Sequence, residues 1–197
     1  MTLTQLLIMG LIWTATLYFI NCLIAKRRIK INPTKATYYI VTMAMLGVVG
    51  EIIIDSIYYY INDKPLWQYQ TFPIHGSYTS LYSVFIWGLV GFHLYLIHDT
   101  LEKMKITSIN ILALSFCIEA IMLEILFNLS FVIMYKKFVY YYLPNDLWHL
   151  SSFQALPLYL IAGYISMFTL KRFIVAPKKY SVIFILMTVM IVGLEII

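Results

Sequence analysis

Six apolar runs, roughly residues 3–24, 36–61, 78–98, 106–134, 153–170 and 180–197, leave this chain few folds to choose from. Each approaches the roughly 20 residues that a helix needs to cross the hydrocarbon core of a bilayer. A soluble domain would have to surround all of them with polar surface, and a chain that is 62% apolar and 12% charged has almost none to spare. The runs are also too long, and too free of strict alternation, for the strands of a transmembrane barrel. The expected fold is all-α: a polytopic integral membrane protein with about six transmembrane helices, residues 1–197 forming a single membrane domain.

Charge gives that bundle a direction. Lys26, Arg27, Arg28, Lys30, Lys35, Lys103, Lys105, Lys171, Arg172, Lys178 and Lys179 fall on one side of a six-span arrangement, and only Lys64, Lys136 and Lys137 on the other. By the positive-inside bias the larger group is cytoplasmic and both termini lie outside, in the cell membrane if the source is a prokaryote. The net charge of +5 belongs to these helix ends rather than to a solvated stripe, so nucleic acid is not an expected partner. The first run lacks a basic leader and a small-residue cleavage site and reads as a retained anchor. Cys22 and Cys117 both lie within apolar runs, which supports neither a disulfide framework nor a thiolate metal site. No phosphate loop, hydrolase signature or HExxH motif is present, and no cofactor is expected.

Five carboxylates, Glu51, Asp55, Glu119, Glu124 and Glu195, interrupt the runs with no Lys or Arg inside those runs to pair with them. An ionisable group in hydrocarbon is costly and needs a partner, a proton or a purpose. Glu51 and Asp55 are four residues apart and share a helix face, whereas Glu119 and Glu124, five apart, do not share one squarely. Adjacent ionised carboxylates repel and dehydration penalises charge, so a proton or a cation is expected to accompany them. Glu51, Asp55, Glu119 and Glu124 are the candidate ligand or proton-coupling groups of an acidic cavity in the outer half of the bilayer. The bland alternative is that protonated acids hydrogen-bond the helices together.

The second run ends in Tyr58-Tyr59-Tyr60-Ile61-Asn62-Asp63-Lys64-Pro65-Leu66-Trp67, and the fourth leads into Tyr140-Tyr141-Tyr142-Leu143-Pro144-Asn145-Asp146-Leu147-Trp148. Both read as helix, aromatic belt, polar turn and Trp, which divides the chain into near-repeat hairpins at 36–98 and 106–170 followed by a terminal helix at 180–197. Runs that cross in the same direction predict parallel repeats about an axis along the membrane normal. Tyr60, Trp67, His75, Trp148 and His149 then frame access to the cavity, or serve only as interfacial contacts. His93 lies within the third run, while His98 beside Asp99 reads as a surface pair. Gly47, Gly50, Gly88 and Gly91 are read as close helix-packing positions. Ser77, Thr79 or Ser80 is expected to cap the third helix. Pro157 is harmless in a first helical turn but would kink or interrupt a helix farther in.

Gly47-Val48-Val49-Gly50-Glu51, the segment Gly76-Ser77-Tyr78-Thr79-Ser80-Leu81-Tyr82-Ser83-Val84-Phe85-Ile86-Trp87-Gly88, Glu124, and the Trp148 loop before Pro157 together resemble the transmembrane protein 229 family and related bacterial permease-like membrane proteins. The resemblance covers about residues 36–172. It implies a compact multi-helix protein in which Glu51 and Glu124 correspond. The leading functional expectation is a small permease-like transporter that binds a proton, a cation or a small cationic ligand. A membrane-embedded acid/base enzyme acting on a lipid, and a structural or assembly subunit of a membrane complex, stand beside it. Expected partners are membrane lipids, with a second copy of the chain or another membrane protein open as well.

Overall fold

The computed structural model describes residues 1–106 and 108–193; Glu195 lies outside the described residues. Its helices are α1 (Leu3–Ile24), α2 (Pro33–Asn62), α3 (Ser83–Lys103), α4 (Ile109–Tyr135), α5 (Leu156–Val175) and α6 (Pro177–Gly193). The first four, and α5 together with the 3-10 turn Phe153–Ala155 before it, are long and apolar enough to cross a membrane. Leu11, Leu23, Ile111, Met122, Val182 and Met190 stand exposed on α1, α4 and α6, a surface that hydrocarbon accepts and water does not.

Local chemistry sets where the helices begin and end. Thr2 and Gln5 form a capping box on α1, and the Asn32 side chain accepts the Lys35 N–H ahead of α2. Asp63 and Lys136, both left-handed, close α2 and α4. Pro157 falls in the first turn of α5, where a missing N–H leaves no ladder bond unmade. The third helix starts later than its hydropathy suggests. Thr79 and Ser80 do not cap it but form a strand: Ser80 Oγ donates to the Thr71 carbonyl at 2.5 Å and accepts the Tyr82 N–H, while Thr79 turns toward Glu51.

Four short strands organise the two segments that follow α2 and α4. β1 (Trp67–Tyr69) pairs antiparallel with β4 (Tyr140–Tyr142), and β2 (Pro73–Ile74) with β3 (Thr79–Ser80). In the first ladder Gln68 faces Tyr141, flanked by Trp67 opposite Tyr142 and Tyr69 opposite Tyr140. The Gln70 N–H donates to the Val139 carbonyl and the Leu143 N–H to the Leu66 carbonyl, both at 2.9 Å. The two loops are therefore stitched together. Tyr58–Tyr60 and Tyr140–Tyr142, matched in the sequence, occupy different elements, because α2 continues through its tyrosines to Asn62 whereas α4 stops at Tyr135, short of its own.

α2 packs on α3 and α4 on α5; α2 also touches α5 and α6, and α1 lies against α3. Glycine permits the closest approaches. A Cβ on Gly91 would lie 2.4 Å from the Tyr39 carbonyl oxygen, and one on Gly163 3.0 Å from that of Ala113. At the basic end His98 does not pair with Asp99. Asp99 takes Arg27 at 2.6 Å and Lys103 at 3.5 Å, while His98 Nδ1 lies 2.9 Å from the Tyr39 hydroxyl.

Candidate functional site

Glu51 is buried near the middle of α2, and four neutral donors converge on it from three elements. Tyr69 of β1 and Trp87 of α3 donate to Oε1 at 2.5 and 2.7 Å; Thr79 of β3 and Ser83 of α3 donate to Oε2 at 2.5 and 2.6 Å. Ser83 and Trp87 reach the same carboxylate because they are one helical turn apart. The set folds the loop after α2 down onto the bundle.

Glu124 of α4 has a matching shell. Tyr159 of α5 donates to Oε1 at 2.5 Å, joined by Tyr142 at 2.8 Å and Tyr140 at 3.2 Å, both from β4. Ser151 donates to Oε2 at 2.7 Å, and Tyr142 approaches that oxygen too, at 3.0 Å. Burial, reinforced by the nearby carboxylates, holds the phenols of Tyr69 and Tyr142 well above the usual tyrosine range, so they remain donors. Hydrogen bonds to a charged group are each worth about 1.5–3 kcal/mol, so each shell offsets part of the cost of burying a carboxylate.

Both glutamates line a cavity of about 430 Å³ between α2 and α5, with Gly50, Tyr69, Tyr142 and Tyr159 also in its wall. Ile53, Ile161 and Ile165 line it as well and are each more than half exposed, so the cavity opens on the apolar flank of the bundle. On the other side of the glutamates a space of about 60 Å³ lies between α3 and α4, where Trp13 and Leu17 of α1 complete its wall. Among the described residues no Lys, Arg or His lines either space.

The other predicted residues are distributed more widely. Asp55 is fully buried, and its Oδ1 accepts the N–H groups of Leu66 and Trp67 at 2.5 and 3.4 Å, bracing the end of the loop against α2. Glu119 stands apart: its Oε2 is 3.4 Å from His93 Nε2, a pair within ion-pair reach but not aligned for a hydrogen bond, and His93 Nδ1 accepts from Asn21 at 2.9 Å. Trp67 lines the cavity and donates its indole N–H to the Tyr78 carbonyl at 2.8 Å. Tyr60 and Trp148 point away from the bundle, 88% and 77% exposed. His75 Nε2 donates to the Ile191 carbonyl at 2.8 Å, and His149 Nδ1 to that of Tyr142 at 2.6 Å. A Cβ on Gly47 would strike the Trp87 ring at 1.9 Å, whereas Gly88 has only Ile40 at 3.4 Å and Gly50 has open space. Among the described residues no group of three His, Cys, Asp or Glu is disposed to hold a metal ion.

Sequence reasoning passed over the donors. Thr79, Ser83 and Trp87 stood in plain view within the segment 76–88, and their four-residue steps were the available signal. Tyr69, Tyr140, Tyr142, Ser151 and Tyr159 come together only through the cross-loop ladder and helix packing. Comparison with protein-family models, with curated proteins and with solved structures finds no match to this chain.

Proposed function

We propose that this chain is a small permease-like integral membrane protein that binds a cation or a cationic small molecule between Glu51 and Glu124. The observation that carries the reading is that a buried carboxylate, Glu51, and a partly buried one, Glu124, share one cavity whose wall, among the described residues, holds no cationic residue. The cavity opens between helices rather than toward a polar loop, so its ligand enters from the hydrocarbon and has an apolar part.

In this reading six helices cross the membrane with both termini outside. The lysine and arginine distribution supports it, as does the contact that brings Ile191 near the far end of α6 to His75 of the outer loop. The hairpins are parallel repeats, with the ligand at their interface. Adding 73 to Glu51, Asp55, Asp63 and Tyr69 gives Glu124, Asn128, Lys136 and Tyr142; after a loop shorter by one residue, adding 72 to Thr79, Trp87 and Gly91 gives Ser151, Tyr159 and Gly163. Six of the seven pairs hold like positions: two caged acids, two left-handed caps, three pairs of donors to the acids, and two glycines under a neighbouring helix; in the seventh, Asp55 accepts from loop amides whereas Asn128 donates to the Leu150 carbonyl.

A structural role is the second reading, favoured by Glu51, each of whose oxygens already accepts two hydrogen bonds. Gly50→Leu separates the two, because a Cβ there meets nothing within 4 Å and the rest of the side chain fills the cavity that both glutamates line. Purified protein in liposomes is expected to take up a fluorescent organic cation such as ethidium, and Gly50→Leu to abolish the uptake while the protein stays folded. Uptake that is absent in the parent protein, or undiminished by Gly50→Leu, would sink the transport reading.

A further inference from the structure

The two acid shells differ at two positions, Ser83 against Ala155 and Trp67 against Tyr140, and both Ala155 and Tyr140 fall on the cavity wall. Along the first hairpin the donors to Glu51 Oε2 and the indole donor follow at steps of four: Thr79, Ser83, Trp87. The same steps in the second hairpin give Ser151, Ala155 and Tyr159. Ala155 is buried and lines the α2–α5 cavity, and it has no hydroxyl to offer. Tyr140 makes up the number of donors on Glu124, but it does so at Oε1. Glu51 Oε2 thus receives two whole hydroxyl protons, whereas Glu124 Oε2 receives one from Ser151 and a share of the single Tyr142 proton, which also serves Oε1 at shorter range.

Resting on the cavity reading above, we propose that Glu124 Oε2 is the head-group acceptor of the α2–α5 cavity, and that the ligand is a single-chain amphiphile carrying a primary ammonium. The under-supplied carboxylate oxygen asks for an N–H donor, and the two acids ask for positive charge. Apart from the residues of the acid shells, Trp67 and Ser166, the wall is apolar or glycine, with Met43, Leu46, Ile54, Leu158 and Ala162 flanking the acids along α2 and α5. A volume of about 430 Å³ lies at the low end of the about 300–1,000 Å³ usual for ligand pockets, which suits one chain rather than the two of a bilayer phospholipid. The equivalent side of the bundle offers no such room, since Trp13 and Leu17 of α1 occupy it and Trp13 is held there by an indole hydrogen bond to Ser130 at 3.2 Å.

The test is saturable binding of three dodecyl probes to the protein in nanodiscs. Dodecylamine has charge and N–H donors, dodecyltrimethylammonium has charge alone, and dodecanol has a donor alone. Dodecylamine is expected to bind at least about tenfold more tightly than either analogue, the worth of a charge-assisted hydrogen bond. Ala155→Ser supplies the missing hydroxyl and should weaken dodecylamine by about tenfold while leaving dodecyltrimethylammonium unchanged. Equal binding of the amine and its trimethyl analogue by the parent protein overturns the assignment of Glu124 Oε2, and that comparison needs no variant to fold. If Gly50→Leu still abolishes binding of both, the cavity reading survives that failure. If no probe binds in a manner sensitive to Gly50→Leu, the cavity reading falls with it.

Discussion

Gly47 and Gly50 lie one turn apart on α2, yet a methyl group has opposite consequences at the two. At Gly47 it would collide with the Trp87 indole, the donor to Glu51 Oε1, whereas at Gly50 it meets nothing within 4 Å. Gly47→Ala is therefore expected to destabilise the protein by about 1–3 kcal/mol through overpacking and a displaced indole. Gly50→Ala should be neutral or gain about 0.4–1 kcal/mol, because the helix tolerates alanine better than glycine. Thermal unfolding in one detergent reads both, and a Gly47→Ala protein as stable as its parent would show that Trp87 is not held where the structure has it. The sequence marked both glycines only as small residues beside an acid. Helix periodicity places them on one face but says nothing about what stands opposite, and that separates a packing contact from a cavity wall. Glu51 and Glu124 were legible for a different reason: a carboxylate in an apolar run is conspicuous wherever it points. Asp55 was equally conspicuous, yet it serves the Leu66 and Trp67 amides, a partnership that depends on the chain doubling back after Asp63.

At the scale of elements, the helices followed from hydropathy and capping, while the strands did not. β1 and β4 have three residues each and pair across 71 to 75 positions of sequence, so no local pattern announces them. Their aromatic residues resemble an interfacial belt because both roles select the same side chains. The ladder nevertheless controls the site, since it carries Tyr69 to Glu51 and Tyr140 and Tyr142 to Glu124. Its two flanking hydrogen bonds should act as one unit. Gln70→Pro removes the N–H that Val139 accepts, and the expected result is faster hydrogen exchange at the Leu143 amide on the partner loop, with about 1–3 kcal/mol less protection for an opening of the pair. Unchanged exchange at Leu143 would mean that the two loops open independently, and that the shells of Glu51 and Glu124 are not coupled through the sheet.

For the molecule as a whole, the decisive question is which side of the membrane the stitched loops occupy. Lys64 and Lys137 are exposed in those loops, whereas Lys30 and Lys178 are exposed at the opposite helix ends, beside the Arg27, Asp99 and Lys103 cluster and at the start of α6. In a chain with Cys22 and Cys117 replaced by Ser, single cysteines at 64 and 137 are expected to react with an impermeant maleimide from outside intact cells. Cysteines at 30 and 178 should react only after permeabilisation. Labelling of 30 and 178 from outside would invert the molecule and make its acid shells cytoplasmic, contrary to the excess of basic residues at that end. Residue 178 also tests the sixth crossing: α6 begins there and brings Ile191 within reach of His75, so sidedness at 178 opposite to that at 64 requires the helix to traverse the bilayer. The seventeen described residues of α6, at 1.5 Å each, span about 26 Å, a little under the roughly 30 Å of hydrocarbon, so a crossing α6 would bring Ile191 to the His75 loop only where the bilayer thins or the helix stands close to the membrane normal. No described residue of α6 lines the α2–α5 cavity although α6 packs on α2, so in the proposed function the mouth between α2 and α5 is the way in to Glu124.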